Sequence, residues 1–463
     1  MLKTADVAVI GGGAAAAALL IALAARVGRE SPSVLWVAPP GEDGRGLAYK
    51  TRDPAHRLNV RAARMSARAD IPGDFVDYLI ARDGHADPNA FYPRRRYGEY
   101  LVDRIAECLP RLQAERWSTQ AIGLSRRSGA WQIRGADGQY RSARHLLLAI
   151  GPQTPMPLAG VSPALLGQGR FRLDPYAWVE QPRSSGVPHS IWILGSGLTA
   201  VDLALTAAQH HPQAEIHVLS RHAALPATHA NVHAVGGDPL HGERCLPSAS
   251  QLLRLIRSHC DGLTDWREGI DALRAGTADR WQAWPVAEKR RFLRHARWAW
   301  DRVRHRMAPE IARAISALRK SGQLSVHQGR FLGAEPQARR IVLTWCTRGS
   351  NERHEVLADL VLQATGLNSQ VSNSTLPLLR SLLDQRLARP DALDMGLAVD
   401  AEQRLLDGSG YVRCDAHVIG ALARGSRFEC IAMPEIRNTA DAIAATLIEA
   451  QGQECQLAFG AAS

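Results

Sequence analysis

Two short segments of this chain have the residue types and spacing to hold phosphates. The first is Val7-Ala8-Val9-Ile10 followed by Gly11-Gly12-Gly13-Ala14-Ala15-Ala16. The second is Ile191-Trp192-Ile193-Leu194 followed by Gly195-Ser196-Gly197-Leu198-Thr199-Ala200. Each reads as an apolar strand, a glycine turn and an alanine-rich helix. Gly11 and Gly195 allow the sharp strand-to-helix turn. Gly13 and Gly197 lack a Cβ, so the backbone can approach a pyrophosphate, and Ala16 and Ala200 stand where a third glycine often packs the helix on the strand. The phosphates would rest on the unpaired N–H groups at the positive end of the following helix. One such turn is a weak sign. Two in one chain suggest two dinucleotides, and the usual reason to hold two is to pass electrons between them.

The strand that follows each helix carries a second signal, because its end meets the adenosine ribose. An acid there binds the free hydroxyls of NAD, whereas a serine followed by arginine suits the 2′-phosphate of NADP. The second unit ends Ile216-His217-Val218-Leu219 and then Ser220-Arg221, which favours NADPH, with NADH as the alternative. The first unit ends Val37-Ala38-Pro39, with no acid; Glu42 or Asp43 from the loop could substitute. Two further buried-type strands end in small residues and glycine: His145 to Ile150 before Gly151, and Leu360 to Thr365 before Gly366. Such ends let the chain turn beside a ligand at the carboxyl edge of a sheet, although ordinary strand termination looks the same.

Composition bounds what these turns serve. At 463 residues the chain should hold two or three domains. The segment from Val7 to Ala25 carries no charge and is long enough to suggest a secretory signal or a membrane span, but three consecutive glycines and the flanking Asp6 argue against both. The seven cysteines are scattered with no C-x-x-C pair, which disfavours zinc ribbons and redox dithiols and fits reduced thiols in a cytoplasm. The net charge of +11 gathers partly in residues 288–306, where eight Lys and Arg face only Glu288 and Asp301. Phe292, Ala296, Ala299, Val303 and Met307 recur there at helical spacing. That predicts one amphipathic helix with a basic outer face, solvated or anion-binding; no aromatic RNA-binding or zinc-finger signature supports nucleic acid.

The remaining pattern predicts helices over 75–80 and 97–109, and strands over 131–133 and 140–144 joined by an Asp137-Gly138 hairpin turn. A helical insertion over about 223–318, rich in Trp266, Trp281, Trp284, Trp298 and Trp300, should cover the active site, its aromatics more often core than cofactor contacts. The fold class is α/β: two Rossmann-like dinucleotide domains plus that insertion.

Taken together, several motifs make the chain similar to a large bacterial family of FAD/NAD(P)-binding proteins related to flavin monooxygenases, including FAD-dependent N-hydroxylases and a FAD-dependent urate hydroxylase type. The motifs are Gly46-Leu47-Ala48-Tyr49, His56 with Leu58-Asn59-Val60 and Met65, Pro93-Arg94 with Tyr97-Gly98, Leu194 to Asp202, Arg304 to Glu310, Ala364-Thr365-Gly366, and Pro434-Glu435-Ile436-Arg437. The resemblance implies a FAD domain split between 1–185 and 346–463, around an NADP domain over 186–345. It places Gly46, Asn59, Gly366 and Glu435 among the cofactor contacts. A last helix starting near Glu435 would aim its N-terminus at the flavin pyrimidine. Asn59, His56 and Arg437 are the candidates for catalysis or substrate contact, each with a structural alternative as turn residue, buried histidine or helix-end charge. No metal is expected. The activity implied is a FAD-dependent NADPH monooxygenase that hydroxylates a small substrate, such as urate, with O2 through a flavin hydroperoxide. The alternatives are an NADPH–flavin oxidoreductase without oxygen insertion, and a catalytically silent nucleotide sensor.

Overall fold

Both glycine turns fold as the spacing predicts, each at the end of a central strand. The computed structural model describes residues 4–28, 31–181, 186–230, 237–238, 240, 248–366, 368 and 370–460, with 450–460 as backbone alone. The chain begins with β1 (Ala5–Ile10), β2 (Val34–Ala38), β3 (Glu115–Ser118), β4 (Ala121–Arg127), β5 (Ala130–Gly135) and β6 (Tyr140–Leu148). It continues with β7 (Phe171–Arg172), β8 (Ser190–Leu194), β9 (Glu215–Ser220), β10 (Leu324–Gln337), β11 (Arg340–Thr347), β12 (Arg353–Ala358) and β13 (Leu360–Gln363). It closes with β14 (Arg404–Leu406) and β15 (Val412–Val418).

These strands form two sheets. The first runs β14-β15-β6-β1-β2-β3, with the β4–β5 hairpin joined antiparallel to the first half of β6. The second runs β12-β11-β10-β9-β8-β13-β7. In both, the strand before the glycine turn lies between two parallel neighbours: β1 between β2 and β6, β8 between β9 and β13. Because β7 and β13 pair within the second sheet, that sheet spans 171–363. The boundaries expected at 185/186 and 345/346 thus fall inside it, since a short edge strand and a buried β13 carry no composition shift to mark them. The two chain crossings between sheets run side by side, joined by an antiparallel bridge between Gln153 and Asn368.

The uncharged segment that could pass for a membrane span is explained by burial. Helix Ala14–Arg26 is buried from Ala15 to Ala24, packed between the first sheet and helix Met433–Gly460. Alanines allow that close approach, and Arg26 closes the contact with a two-pronged ion pair to Asp441 at 3.0 and 2.7 Å. No helix among the described residues is long and apolar enough to cross a membrane.

Local predictions hold in outline. Helices Asp74–Asp83 and Arg94–Cys108 extend the expected segments, and β5 and β6 pair antiparallel across the Asp137-Gly138 turn. The basic stretch departs from expectation. It forms two helices, Val286–His295 and Arg297–Arg304, broken at the buried Ala296 (φ −114°). The break lets Phe292 and Trp300 both enter a core with Trp281, Trp284 and Phe428, where Trp281 stacks on Phe428 at 4.5 Å. Trp281, Trp284 and Trp300 are therefore core, as such spacing usually means. Trp298 is not; it is 40 % exposed. Nor is the basic face uniformly solvated: Arg304 and Arg306 are buried.

Candidate active site

The two glycine turns are built alike to the level of single hydrogen bonds. Gly11 N–H donates to Val37 O at 2.9 Å and Ala149 N–H to Ile10 O at 2.8 Å. In the second unit Gly195 N–H donates to Leu219 O at 2.9 Å and Ala364 N–H to Leu194 O at 2.7 Å. Gly11 (φ +134°) and Gly195 (φ +115°) each press on the neighbouring strand end: a Cβ would fall 2.2 Å from Ala149 O in one and 2.3 Å from Ala364 O in the other. The small residues at the ends of β6 and β13 are thus the walls of the two turns. Helices Ala14–Arg26 and Leu198–His210 start at Gly13 and Gly197 with no side-chain cap, leaving their first N–H groups for a ligand. Ala16 and Ala200 are fully buried at the packing position. Gly46 (φ +57°) lies against Gly13, its Cβ position 3.0 Å from Gly13 Cα, and Gly420 (φ +76°) faces Ala15. Glycines thus approach the start of the first helix from both of these neighbouring segments.

At the ribose positions the two units differ as their residues do. Ala38 is buried and carries no acceptor. The loop brings Glu42 instead, its Cβ packed over Gly12, 2.3 Å from where a Cβ on that glycine would lie. No hydrogen bond or ion pair among the described residues engages the Glu42 carboxylate, whereas Asp43 is taken by Arg45. At the end of β9, the Ser220 hydroxyl is buried without a hydrogen-bond partner among the described residues. Arg221 follows it. His222 stacks on Trp298 with ring centroids 4.0 Å apart and planes 8° apart. Arg348, in the turn between β11 and β12, reaches the Arg221 carbonyl and the His222 ring. A hydroxyl among arginines at this strand end suits a phosphate monoester.

A buried polar network joins the two units. Arg94 pairs with Asp202 of the second helix at 2.8 Å, both nearly buried. Burial alone would lower the Arg94 pKa, and Asp202 together with Tyr176 and Tyr49 more than offsets it; burial holds Asp202 above the usual carboxylate range. Beside it, Thr206 donates to Asp53 at 2.6 Å, and His56 lies between Thr206 (2.9 Å) and Thr51 (3.0 Å). His56 is fully buried with both ring nitrogens committed. Its place is in the clamp, which matches the buried-histidine alternative rather than a substrate contact.

The other candidates gather where the helical insertion meets helix Met433–Gly460. The Asn59 carbonyl lies 3.1 Å from His229 Nε2. Burial, then the nearby Arg306, push the His229 pKa down to about 3, so it is neutral. Glu435 takes both prongs of Arg274 at 2.7 and 3.0 Å, which makes it an ion-pair partner across the interface. Arg437 reaches the Ser66 carbonyl at 3.3 Å. Just upstream, Glu429 adopts φ +65°, a strained conformation for a non-glycine. Its carboxylate accepts from Trp300 Nε1 at 2.8 Å and lies 3.3 Å from Arg304 Nε. Burial would raise its pKa, but Arg304 and His305 hold it below the usual range. Glu429, Arg348 and Trp298 carried no local signal; each acquires its role from partners distant in the chain.

These observations define a molecule with two like glycine cradles joined by a buried polar clamp. A family model described as FAD-NAD(P)-binding matches residues 8–153. No curated protein sequence matches the chain. Among solved structures, an ornithine N-hydroxylase of Kutzneria sp. 744 is 16% identical, with 97% of this chain and 100% of that chain covered at a TM-score of 0.68. An L-lysine 6-monooxygenase of Pseudomonas syringae is 18% identical, with 96% and 99% covered at 0.67. The cadaverine monooxygenase of Erwinia amylovora, solved bound to FAD, is 13% identical, with 96% and 94% covered at 0.67. The chain thus has the two-domain fold of these flavoproteins over nearly its whole length.

Proposed function

We propose that this chain is a FAD-dependent monooxygenase that draws reducing equivalents from NADPH and hydroxylates a small substrate with dioxygen. The observation that carries the reading is the pair of equivalent cradles held in one clamp through Arg94–Asp202 and the His56 relay. In this assignment Gly11, Gly13, Ala16 and Gly46 hold the FAD pyrophosphate, and Glu42 takes the ribose acid's role that Ala38 cannot. Gly195, Gly197 and Ala200 hold NADPH, with Ser220, Arg221 and Arg348 on its 2′-phosphate. When bound, the two cofactors supply hydride transfer and oxygen activation. The chain's own residues align them, and the aromatic core of the insertion keeps water from the reaction.

Disulfide reduction is disfavoured because the chain has no C-x-x-C. The five described cysteines are all unpaired, which supports a reducing, cytoplasmic setting. The neighbours of similar fold act on ornithine, lysine and cadaverine. They favour an amine nitrogen over urate as the atom oxidised, and no feature of the site singles out a purine.

The test is turnover with NADPH under isotopically labelled dioxygen against a panel of amines and amino acids. Label in a hydroxylated product supports the reading. NADPH consumption that yields only hydrogen peroxide across the panel would favour the plain oxidoreductase, and a protein that takes up no flavin would favour the silent sensor.

A further inference from the structure

The surface between the insertion and the last helix carries more positive charge than it neutralises. Arg267, Arg274, Arg304 and Arg306 come from the insertion; Arg61 and Arg64 come from the segment after Asn59. Each of four carboxylates has its own cation: Asp265 with Arg267, Asp271 with Arg306, Glu435 with Arg274, and Glu429 with Arg304. Arg61 donates to the backbone carbonyls of Asn89 and Ala230 and lies over the Phe91 ring at 5.1 Å, with no ion pair among the described residues. Arg64, at the exposed rim, has no hydrogen bond or ion pair among the described residues. Among the described residues Arg61 thus has Asp87 as its nearest opposite charge without a direct ion pair, and Arg64 is left without a carboxylate of its own. His229, neutral beside Arg61, Arg267 and Arg306, adds none and removes none.

The buried members also have unused donors. The Arg304 and Arg306 side chains are only 8% and 4% exposed. Yet Arg304 Nε and Nη2, and Arg306 Nε, meet no hydrogen-bond acceptor among the described residues. Arg304 lies near Glu429 (3.3 Å) and Glu435 (3.8 Å) without hydrogen-bond geometry to either. A buried donor left unmade is costly, more so when charged, and folded proteins keep few of them. An arginine fork matches the two oxygens of a carboxylate.

We propose that this cluster is a subsite for a carboxylate-sized organic anion carried by the substrate, with Arg304 and Arg306 as specificity-determining residues and Arg64 at its mouth. The assignment rests on the reading that substrate meets FAD beside the last helix. It divides the substrates of the structural neighbours by charge: an amine bearing an acid group is accepted, and a bare diamine is repelled by the excess positive charge of the cluster.

Two probes of similar size and opposite charge test it. The purified protein is titrated with benzoate and with benzylamine at constant ionic strength, following tryptophan fluorescence and the flavin absorbance. Benzoate should saturate and benzylamine should not. Arg306→Gln should weaken benzoate about tenfold or more, and Arg64→Gln, at an exposed position that cannot threaten the fold, by severalfold. Arg306→Lys should recover only part of the loss, and an unchanged FAD-to-protein ratio certifies folding. Benzoate binding with equal affinity to all these proteins, binding of benzylamine alone, or no benzoate binding to a yellow protein would overturn the subsite. So would an Arg306→Gln protein that loses affinity for NADP+ but not for benzoate, which would assign the arginines to the dinucleotide. Saturable, arginine-dependent benzoate binding by a colourless protein supports the subsite while removing the flavin reading.

Discussion

At single residues, the glycines of each turn have separable duties. Gly11 and Gly195 are needed by the fold itself, since a Cβ would meet a carbonyl oxygen at 2.2 or 2.3 Å at a φ that L side chains avoid. Gly11→Ala should lower stability by about 2–4 kcal/mol and strip flavin, read as a shifted melt and a reduced FAD-to-protein ratio. Gly197 has nothing within 4 Å of its Cβ position. Gly197→Val should therefore melt normally yet weaken NADP+ binding in a fluorescence titration. Glu42→Gln should raise the FAD dissociation constant about 10- to 100-fold, equivalent to ~1.5–3 kcal/mol of a charged hydrogen bond; an unaltered constant would return the ribose site to an unknown group. These glycines were legible because their conformations depend on the nearest few residues. Glu42 and Asp43 were legible only as two options, and the proposed preference for Glu42 needed Arg45 in place on Asp43. His56 stayed open between two readings, since a histidine in an irregular loop looks the same whether it faces substrate or Thr206.

At the scale of elements, the clamp between the domains decides how the two cradles face each other. Asp202→Asn removes the anion facing a buried Arg94, and breaking a buried pair from one side costs about 3–5 kcal/mol. Urea unfolding should show that loss, while Arg94→Met with Asp202→Leu should recover much of it. A single mutant as stable as the parent would mean that the pair does not hold the domains. Asp202 belongs to a motif visible in the sequence, but its partner is more than a hundred residues away, and no local pattern joins them. Two buried histidines give the elements a pH limit. Burial pushes His229 down to about 3 and His417 on β15 to about 4, His417 further disfavoured by the nearby His145. An unfolded histidine titrates near 6.5, so the unfolded state binds more protons below that pH. Stability should be full above about pH 6.5 and fall as the pH drops towards 4, by about 1.4 kcal/mol per pH unit for each group. His417→Gln should flatten this slope in urea melts between those limits. The basic helix shows why element boundaries were harder to read than element types. Helical spacing runs unbroken through Ala296, and only the tertiary need to bury both Phe292 and Trp300 splits it.

Across the whole molecule, the α/β class, the duplicated dinucleotide unit and the inserted helices were readable because each follows from a repeated local pattern. Which strands share a sheet was not. β7 is two residues long and β13 leaves no composition step, so their membership of the second sheet emerges only from pairing. The proposed substrate side was least legible, because it would be assembled from the Asn59 loop, the insertion and the last helix, and its charge balance exists only after those segments meet. The direct test is anaerobic mixing of the purified, FAD-loaded protein with NADPH while following the visible flavin band. The band should bleach with NADPH faster than with NADH, return on admitting air, and lose its preference for NADPH in Arg221→Ala. A yellow protein whose band neither nucleotide bleaches would contradict the pairing of the two cradles as donor and acceptor.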